Sequence, residues 1–347
     1  MRVGMMLNYA GGFKETMAEL ADFEAAGLDI VFVPEAYSYD AVSQLGYIAA
    51  KTTRLEIASG ILPIYSRTPA LTAMTAAGLD YISDGRFTLG LGTSGPQVIE
   101  GWHGVRYDAP VGRTRELIDI CRLVWRRERL EYQGKHYRLP LPAEQGTGLG
   151  KPLKLINHPV RERIPIVVAA IGPANVALAA ELAEGWQPIF FFPEKAEIAW
   201  GEPLRTGGAK RDAGILPPLD VIGHAPLAIG ADVTGLRDLT RPFFALYIGG
   251  MGARGKNFYY DLACRFGYET EAKLIQDAYL DGRKDEAAAL VPADLVEKTS
   301  LIGPAGYIAE RLAAFREAGI TTLNLTPLAA THEQRVRDIE QLRAVAG

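Results

Sequence analysis

Soft metal ligands are scarce in this 347-residue chain, which has five histidines and two cysteines. His103, His136, His158, His224 and His332 are scattered without ligand spacing, and no H-x-H pair occurs in the opening strand-like stretch "MRVGMMLNY". A barrel metal hydrolase, or any other metal centre, is therefore not expected. Cys121 and Cys264 form no C-x-x-C and read as buried thiols. An excess of positive charge is missing as well. With 37 Lys and Arg against 41 Asp and Glu, the net charge of −4 offers no field to nucleic acid or an anionic membrane, so any anion has to be gripped locally. No apolar run reaches the roughly 20 residues of a membrane span, and no basic and apolar leader precedes the first strand. We expect a cytoplasmic protein acting on a small molecule, with neither nucleic acid nor membrane as partner. No lysine lies within a strand, as Schiff-base chemistry would want. Lys195 follows the sixth apolar run and reads as a solvated side chain at a helix start.

What the chain does have is regular alternation. Hydrophobic residues make up 48% and charged residues 22%, enough for one large core. Eight apolar runs, "RVGMML", "IVFV", "RLEIASGIL", "RFTLGL", "IPIVVAA", "WQPIFFF", "LDVIGHAPLAI" and "TTLNLTP", alternate with helical patterns. Continuous apolarity suits parallel strands covered on both faces, and the helices between them imply β-α-β connections. Met17, Leu20 and Phe23 form one helical stripe; Ile308, Leu312 and Phe315 form another; Val336, Ile339 and Leu342 form the last. Thr68 with Pro69 reads as an N-cap and first helical proline, and Thr331 with Gln334 as a capping box. "AAGLDIV" (25–31), "AEGWQPI" (183–189) and "EAGITTL" (317–323) repeat one unit, in which a glycine ends a helix and turns the chain into a strand.

Eight such units predict a single domain over 1–347, a (β/α)8 TIM barrel, rather than a doubly wound open sheet. Insertions are expected after strands 4 and 7. Residues 129–163 are long and rich in Gly and Pro, and read as an excursion or lid near the barrel mouth. Residues 250–298, which begin with "GMGARGKN", read as an insertion before the eighth strand.

"GLGTSG" (90–95) has the letters of a dinucleotide fingerprint, but Pro96 and an irregular stretch follow instead of an immediate helix. The position about 20 residues on, where an acid should close the next strand, falls in a helical pattern. NAD is not expected there. In a barrel the site lies after the strand ends, at "PEAYSYD" with Glu35, "SGILPIYSR", "GTSGPQVIEGWHG" and "IGPAN". Gly60, Gly92, Gly95 and Gly172 allow a backbone to touch a flat ligand, and the "GPAN" turn offers free N–H groups at a helix start. Together they favour a large planar cofactor carrying a phosphate.

"SGILPIYSRTPALTAMTAAGLDYISDGRFTLGLGTSG", "GWHGVRYDAPVGRTREL" and "IGPANVALAAELAEGW" resemble the luciferase-like superfamily, in its branch of coenzyme F420-dependent oxidoreductases and methylenetetrahydromethanopterin reductases. The resemblance runs nearly end to end and is least specific over 195–300. It implies a cis peptide at Gly60–Ile61 behind the deazaflavin, Ala36, Gly92 and Thr93 beside the cofactor, and Gly172, Pro173, Ala174 and Asn175 around its phosphate. Gly60→Val should then weaken cofactor binding more than stability. Where several relatives carry Asp-His after strand two, this chain has Glu35, Ala36 and Tyr37. Glu35 is the catalytic candidate, to orient or protonate the substrate, with a capping or ion-pairing carboxylate as the other reading. Trp102 and His103 are candidates for walls of the substrate pocket, though His103 also fits a surface or packing role. The implied function is hydride transfer between F420 and a small organic substrate by a homodimer. An FMN-dependent monooxygenase and a non-catalytic flavin-binding barrel are the alternatives. Arg254 and Lys256 are candidates to hold the glutamyl tail of F420.

Overall fold

The computed structural model describes residues 1–8 and 12–346. The apolar runs form parallel strands β1 (Arg2–Met6), β2 (Ile30–Val33), β3 (Glu56–Ser59), β4 (Phe87–Gly92), β5 (Ile166–Ala169), β6 (Gly185–Gln187), β7 (Asp220–Ile229) and β8 (Thr322–Pro327). Neighbours pair in chain order and β8 pairs back onto β1, which closes the barrel. The covering helices are α1 (Phe13–Ala25), α2 (Ala41–Lys51), α3 (Pro69–Ile82), α4 (Pro110–Trp125), α5 (Pro173–Leu182), α6 (Glu202–Gly208), α7 (Ala305–Glu317) and α8 (His332–Ala346).

Local sequence explains many of the boundaries. Thr68 caps α3 by accepting from the Leu71 N–H at 3.3 Å, with Pro69 at the first helical position. Asp40 caps α2 by accepting from the Ser43 N–H at 2.9 Å, and the Ser43 hydroxyl, which donates to its carboxylate at 2.6 Å, holds the carboxyl below the usual range. Gly27 and Gly319 turn the chain after α1 and α7 with φ of +102° and +94°. Gly185 was expected to do the same and does not. It is the first residue of β6, where a Cβ would come within 3.1 Å of the Asp220 carbonyl oxygen, so close strand approach is what requires glycine there.

Strand alternation sorts the side chains into two cores. A large outer core lies between the strands and the helices, with Phe87, Leu89, Trp125 and Phe315 fully buried. Ile30, Phe32, Ala58, Val167 and Ile222 form a separate cluster inside the barrel, with Met6 packed against it. The N-terminal end is closed by a polar plug. Arg2 reaches Glu56 at 2.7 Å and Asp220 at 3.7 Å, and Thr322 donates to Asp220 at 2.8 Å.

Three expectations need correction. "WQPIFFF" is strand only through Gln187, because Phe190 takes φ +52° and the three phenylalanines turn outward into aromatic packing. Residues 129–163 start away from the mouth and reach only its rim, where Arg113 of α4 lies over both Tyr65 and Tyr137. They leave α4 at its C-terminal end, and a small hairpin, Tyr132–Gln133 with Arg138–Leu139, lies along the outside of α4. There the Glu116 carboxylate accepts from the N–H groups of Lys135, His136 and Tyr137. Arg161 then ties the segment to Asp80 and to the Phe87 carbonyl, at the N-terminal end of β4. A segment that follows a helix rather than a strand starts at the end of the barrel away from the site. The insertion after β7, in contrast, is at the mouth, and it begins near residue 230 rather than 250. Its helix Phe258–Arg265 is pinned by Arg265, which donates to the Ile171 and Ala199 carbonyls at 3.2 and 2.9 Å. The short strand Leu301–Gly303 returns the chain alongside β7.

A Cβ on Gly90 would lie 1.9 Å from the Ser59 carbonyl oxygen, a main-chain atom with little freedom to move. Gly90→Ala should therefore destabilise the fold by about 1–3 kcal/mol, whereas Gly101→Ala, with nothing within 4 Å of its Cβ position, should cost under about 1 kcal/mol. Equal denaturant midpoints for the two variants would contradict this packing.

Candidate active site

The C-terminal end of β3 shapes the mouth. β3 stops at Ser59, the Gly60–Ile61 peptide is cis as the resemblance implied, and the chain pairs again at Leu62–Pro63, this time with β4. The Ser59 hydroxyl donates to the Gly90 carbonyl at 2.9 Å and accepts from the Gly90 N–H at 2.8 Å. Gly60 faces the barrel interior: a Cβ there would come within 2.9 Å of Phe32 Cβ and 3.2 Å of Met6 Cε. Gly60→Val therefore crowds the core itself, and the expectation that it spares stability is withdrawn. A Cβ on Gly92 would meet Ile61 Cγ1 at 2.8 Å, so this glycine makes room for the protein's own side chain. Thr93 follows, close to Tyr107, whose ring centroid is 5.2 Å from that of Tyr65. Burial pushes both phenols above their ordinary pKa.

Glu35, after β2, is buried and fully engaged. Its two oxygens accept from Arg67 at 2.6 and 2.9 Å, and one of them also accepts from the Ala41 N–H at 2.9 Å. This is the ion-pairing and capping arrangement, and neither oxygen is left without a donor. Ala36 is half-buried beside it. Tyr37 and Trp102 are exposed, and their ring centroids lie 6.4 Å apart, bridging the loops after β2 and β4. Nε2 of His103 is buried without a partner among the described residues.

The start of α5 is open and uncapped. Gly172 is its N-cap and supplies no side-chain cap, Pro173 is at the first position, and a Cβ on Gly172 would have nothing within 4 Å. The Ala174 and Asn175 N–H groups belong to the first turn and have no helical carbonyl to bond. The Asn175 side-chain oxygen is buried and unpartnered among the described residues. β5, which leads to this turn, pairs with β4, so the turn stands beside the Gly60–Ile61 break and the Gly92–Thr93 end. The tail site fits less well. Arg254 is ion-paired with Asp277, which Lys273 also contacts, whereas Lys256 makes no such pairing among the described residues.

The luciferase-like monooxygenase family model matches residues 1–322. The chain belongs to that family. Within it, this protein is 42% identical over 349 aligned positions to a Mycobacterium tuberculosis protein assigned as a coenzyme F420-dependent oxidoreductase, covering 99% of each chain. It is 26% identical to the 5,10-methylenetetrahydromethanopterin reductase of Archaeoglobus fulgidus, covering 86% of this chain and 85% of that one. Among solved structures, the coenzyme F420-dependent tetrahydromethanopterin reductase of Methanopyrus kandleri superposes with a TM-score of 0.80 at 21% identity, covering 98% and 97% of the two chains. An F420-dependent secondary alcohol dehydrogenase superposes with a TM-score of 0.77 at 16% identity, covering 100% and 99%, and these two share the barrel fold.

Two parts of this family member's mouth had no signal in the sequence. Arg67 was hidden in a run matched for other reasons, and His224 looked like one of five scattered histidines. His224 is half-buried within β7, and its Nε2 shares a 2.8 Å hydrogen bond with Thr326 Oγ1. Loss of solvent lowers its pKa from an ordinary 6.5 to about 4. The depressed value means that, as pH falls from 6.5 to 4, the unfolded chain takes up a proton that the folded one refuses. Stability contributed by this site is therefore full above pH 6.5 and lost progressively towards pH 4. Histidine-resolved NMR should give a His224 midpoint near 4; a midpoint at or above 6.5 would contradict the desolvated setting. Removing Arg67 should be costly. Arg67→Ala leaves a buried carboxylate unpaired and should destabilise the protein by about 3 kcal/mol, with Glu35→Gln milder in the same unfolding assay.

Proposed function

We propose that this protein is a coenzyme F420-dependent oxidoreductase that moves a hydride between the deazaflavin and a small organic substrate. The observation that carries the reading is the open, uncapped start of α5, with two first-turn N–H groups and an Asn175 side-chain oxygen unpartnered among the described residues, standing beside the broken end of β3. The match to the mycobacterial relative along the whole chain supports the same cofactor. Bound here, F420 supplies a carrier that takes or gives a hydride. The chain's own part is to hold it. Gly172, Ala174 and Asn175 would hold the phosphate through main-chain N–H groups and the Asn175 amide, which can turn its NH₂ towards an anion. Gly60, Ile61, Thr93 and Ala36 would hold the ring. Glu35 acts as a positioning residue, fixing Arg67 and the start of α2, and Trp102 and His103 close the outer wall. Hydride transfer asks for close approach and dryness, and the aromatic insertion after β7 provides the latter.

The protein is further proposed to work as a homodimer. Tyr47 of α2 and Leu71, Met74, Tyr81 and Ile82 of α3 expose large apolar surfaces on two adjacent helices, more than scattered surface residues require. Sedimentation equilibrium should give a dimer for the parent protein and a monomer for Leu71→Asp, Met74→Glu; a monomeric parent at micromolar concentration would refute the pairing.

Titration of the cofactor-free protein should give tighter binding of F420 than of FMN. Asn175→Ala should weaken F420 about tenfold, the size of one charge-assisted hydrogen bond. Tighter binding of FMN would overturn the F420 reading and favour a flavin monooxygenase.

A further inference from the structure

The upper interior of the barrel holds polar groups that the cofactor contacts leave unused. His224 lies two residues beyond Ile222 on β7, and Ile222 belongs to the inner cluster, so the imidazole points into the barrel. β7 is four strands from β3 in a closed ring of eight, which puts His224 across the barrel from Gly60. Gly60 and Ala169 are inward positions that present little or no side chain to the imidazole, while Met6 and Phe32 close the interior directly at Gly60. Thr326 of β8 holds His224 Nε2 at 2.8 Å, and the ring makes no other hydrogen bond among the described residues. Nearby, on the same inward faces, the Gln187 side-chain oxygen and both amide atoms of Asn324 are buried and without partners among the described residues. Such atoms are costly when left dry and unpaired. Phe243 of the insertion, 6.4 Å from the imidazole, and Tyr247, 4.5 Å from Phe243, supply an apolar wall.

The arginines near this level among the described residues are engaged elsewhere. Arg67 is committed to Glu35, Arg113 to Asp108 and Arg265 to main-chain carbonyls, while Arg2 belongs to the plug at the opposite end. We propose that His224 and Thr326, with Gln187 and Asn324 beside them, form the subsite for an uncharged oxygen of the substrate, a hydroxyl or a carbonyl, and that anionic substrates are rejected here. The inference rests on the oxidoreductase reading for its role and deepens it by naming a substrate class. Neutral imidazole is suited to this task. With Nε2 engaged by Thr326 Oγ1, Nδ1 is the nitrogen left to the substrate: it donates to a carbonyl when it carries the proton and accepts from a hydroxyl when Nε2 carries it, and it brings no charge to attract a carboxylate or phosphate. The aromatic wall takes the apolar remainder, the usual division of labour in a small-molecule pocket.

The test uses the full-length protein without cofactor, ¹³C-labelled at histidine, with cyclohexanol, cyclohexanone, cyclohexanecarboxylate and methylcyclohexane as probes. Five histidines keep the spectrum simple, and His224→Gln assigns its signal. Cyclohexanol and cyclohexanone should shift the His224 resonance saturably, at least tenfold more tightly than the carboxylate. Thr326→Val, which keeps the imidazole but frees its Nε2, should weaken them about fivefold to tenfold while leaving the fold's methyl spectrum intact. Shifts confined to other histidines, equal or tighter binding of the carboxylate, or no effect of Thr326→Val overturn the assignment. So does the absence of any saturable shift up to the probes' solubility. A separate F420 titration on the same sample keeps the two readings apart: F420 binding without the oxygen probes refutes only the subsite, and the converse refutes only the cofactor.

Discussion

Ser59 and Gly90 exchange two hydrogen bonds through one hydroxyl in the wall between β3 and β4, and the geometry of the mouth depends on that contact. It satisfies both main-chain groups of Gly90 where β3 stops pairing, so the strand can end inside the barrel wall without orphaning its neighbour. The chain is then free to step aside at Gly60–Ile61 and pair again with β4 at Leu62–Pro63. Only glycine fits at 90, because a Cβ would collide with the Ser59 carbonyl. Ile61 in turn occupies the space that Gly92 leaves open. A shelf of backbone at the mouth is thus produced by packing inside the wall.

The barrel interior is graded along its axis. Arg2, Glu56, Asp220 and Thr322 form a polar plug at the N-terminal end, the inner apolar cluster follows, and above it the layer with Gly60, Ala169 and His224 opens towards the mouth. Charge in the site region is neutralised in pairs, such as Glu35 with Arg67 and Asp108 with Arg113. The anion-holding element proposed for this protein, the start of α5, is accordingly main chain rather than a cluster of cations. This agrees with a protein whose net charge is −4 and which still has to hold a phosphate. The insertion after β7 completes the site by contact, through Arg265 on the Ile171 carbonyl and through Phe244 stacked 4.5 Å from Phe190.

The architecture was legible because its signals are local and repeated. Eight apolar runs, the Thr68–Pro69 cap and the glycines after α1 and α7 each mark an element by a short-range rule, and all agree with a barrel. Gly185 broke the pattern because one letter serves two needs, a left-handed turn after a helix and a close approach between strands, and sequence does not separate them. The segment 129–163 was placed at the mouth because its composition says that it is irregular but not at which end of the barrel it starts. At the site, the residues that the family resemblance marked could be named, whereas their partners could not. Glu35 and Arg67 are 32 positions apart and His224 and Thr326 are 102 apart. Such pairs follow from closure of the barrel rather than from any periodicity. The same is true of Asp277, which takes Arg254 out of the expected tail site.

The central claim is that the break in β3, set by Ser59 and Gly90, and the uncapped start of α5 together form one cofactor cradle. A crystal structure with F420 bound tests it most directly. The account predicts the deazaflavin ring in van der Waals contact with Gly60–Ile61 and the phosphate within hydrogen-bond reach of the Ala174 and Asn175 N–H groups. A phosphate held by the loops after β7 and β8 instead, the commoner location in such barrels, would contradict it.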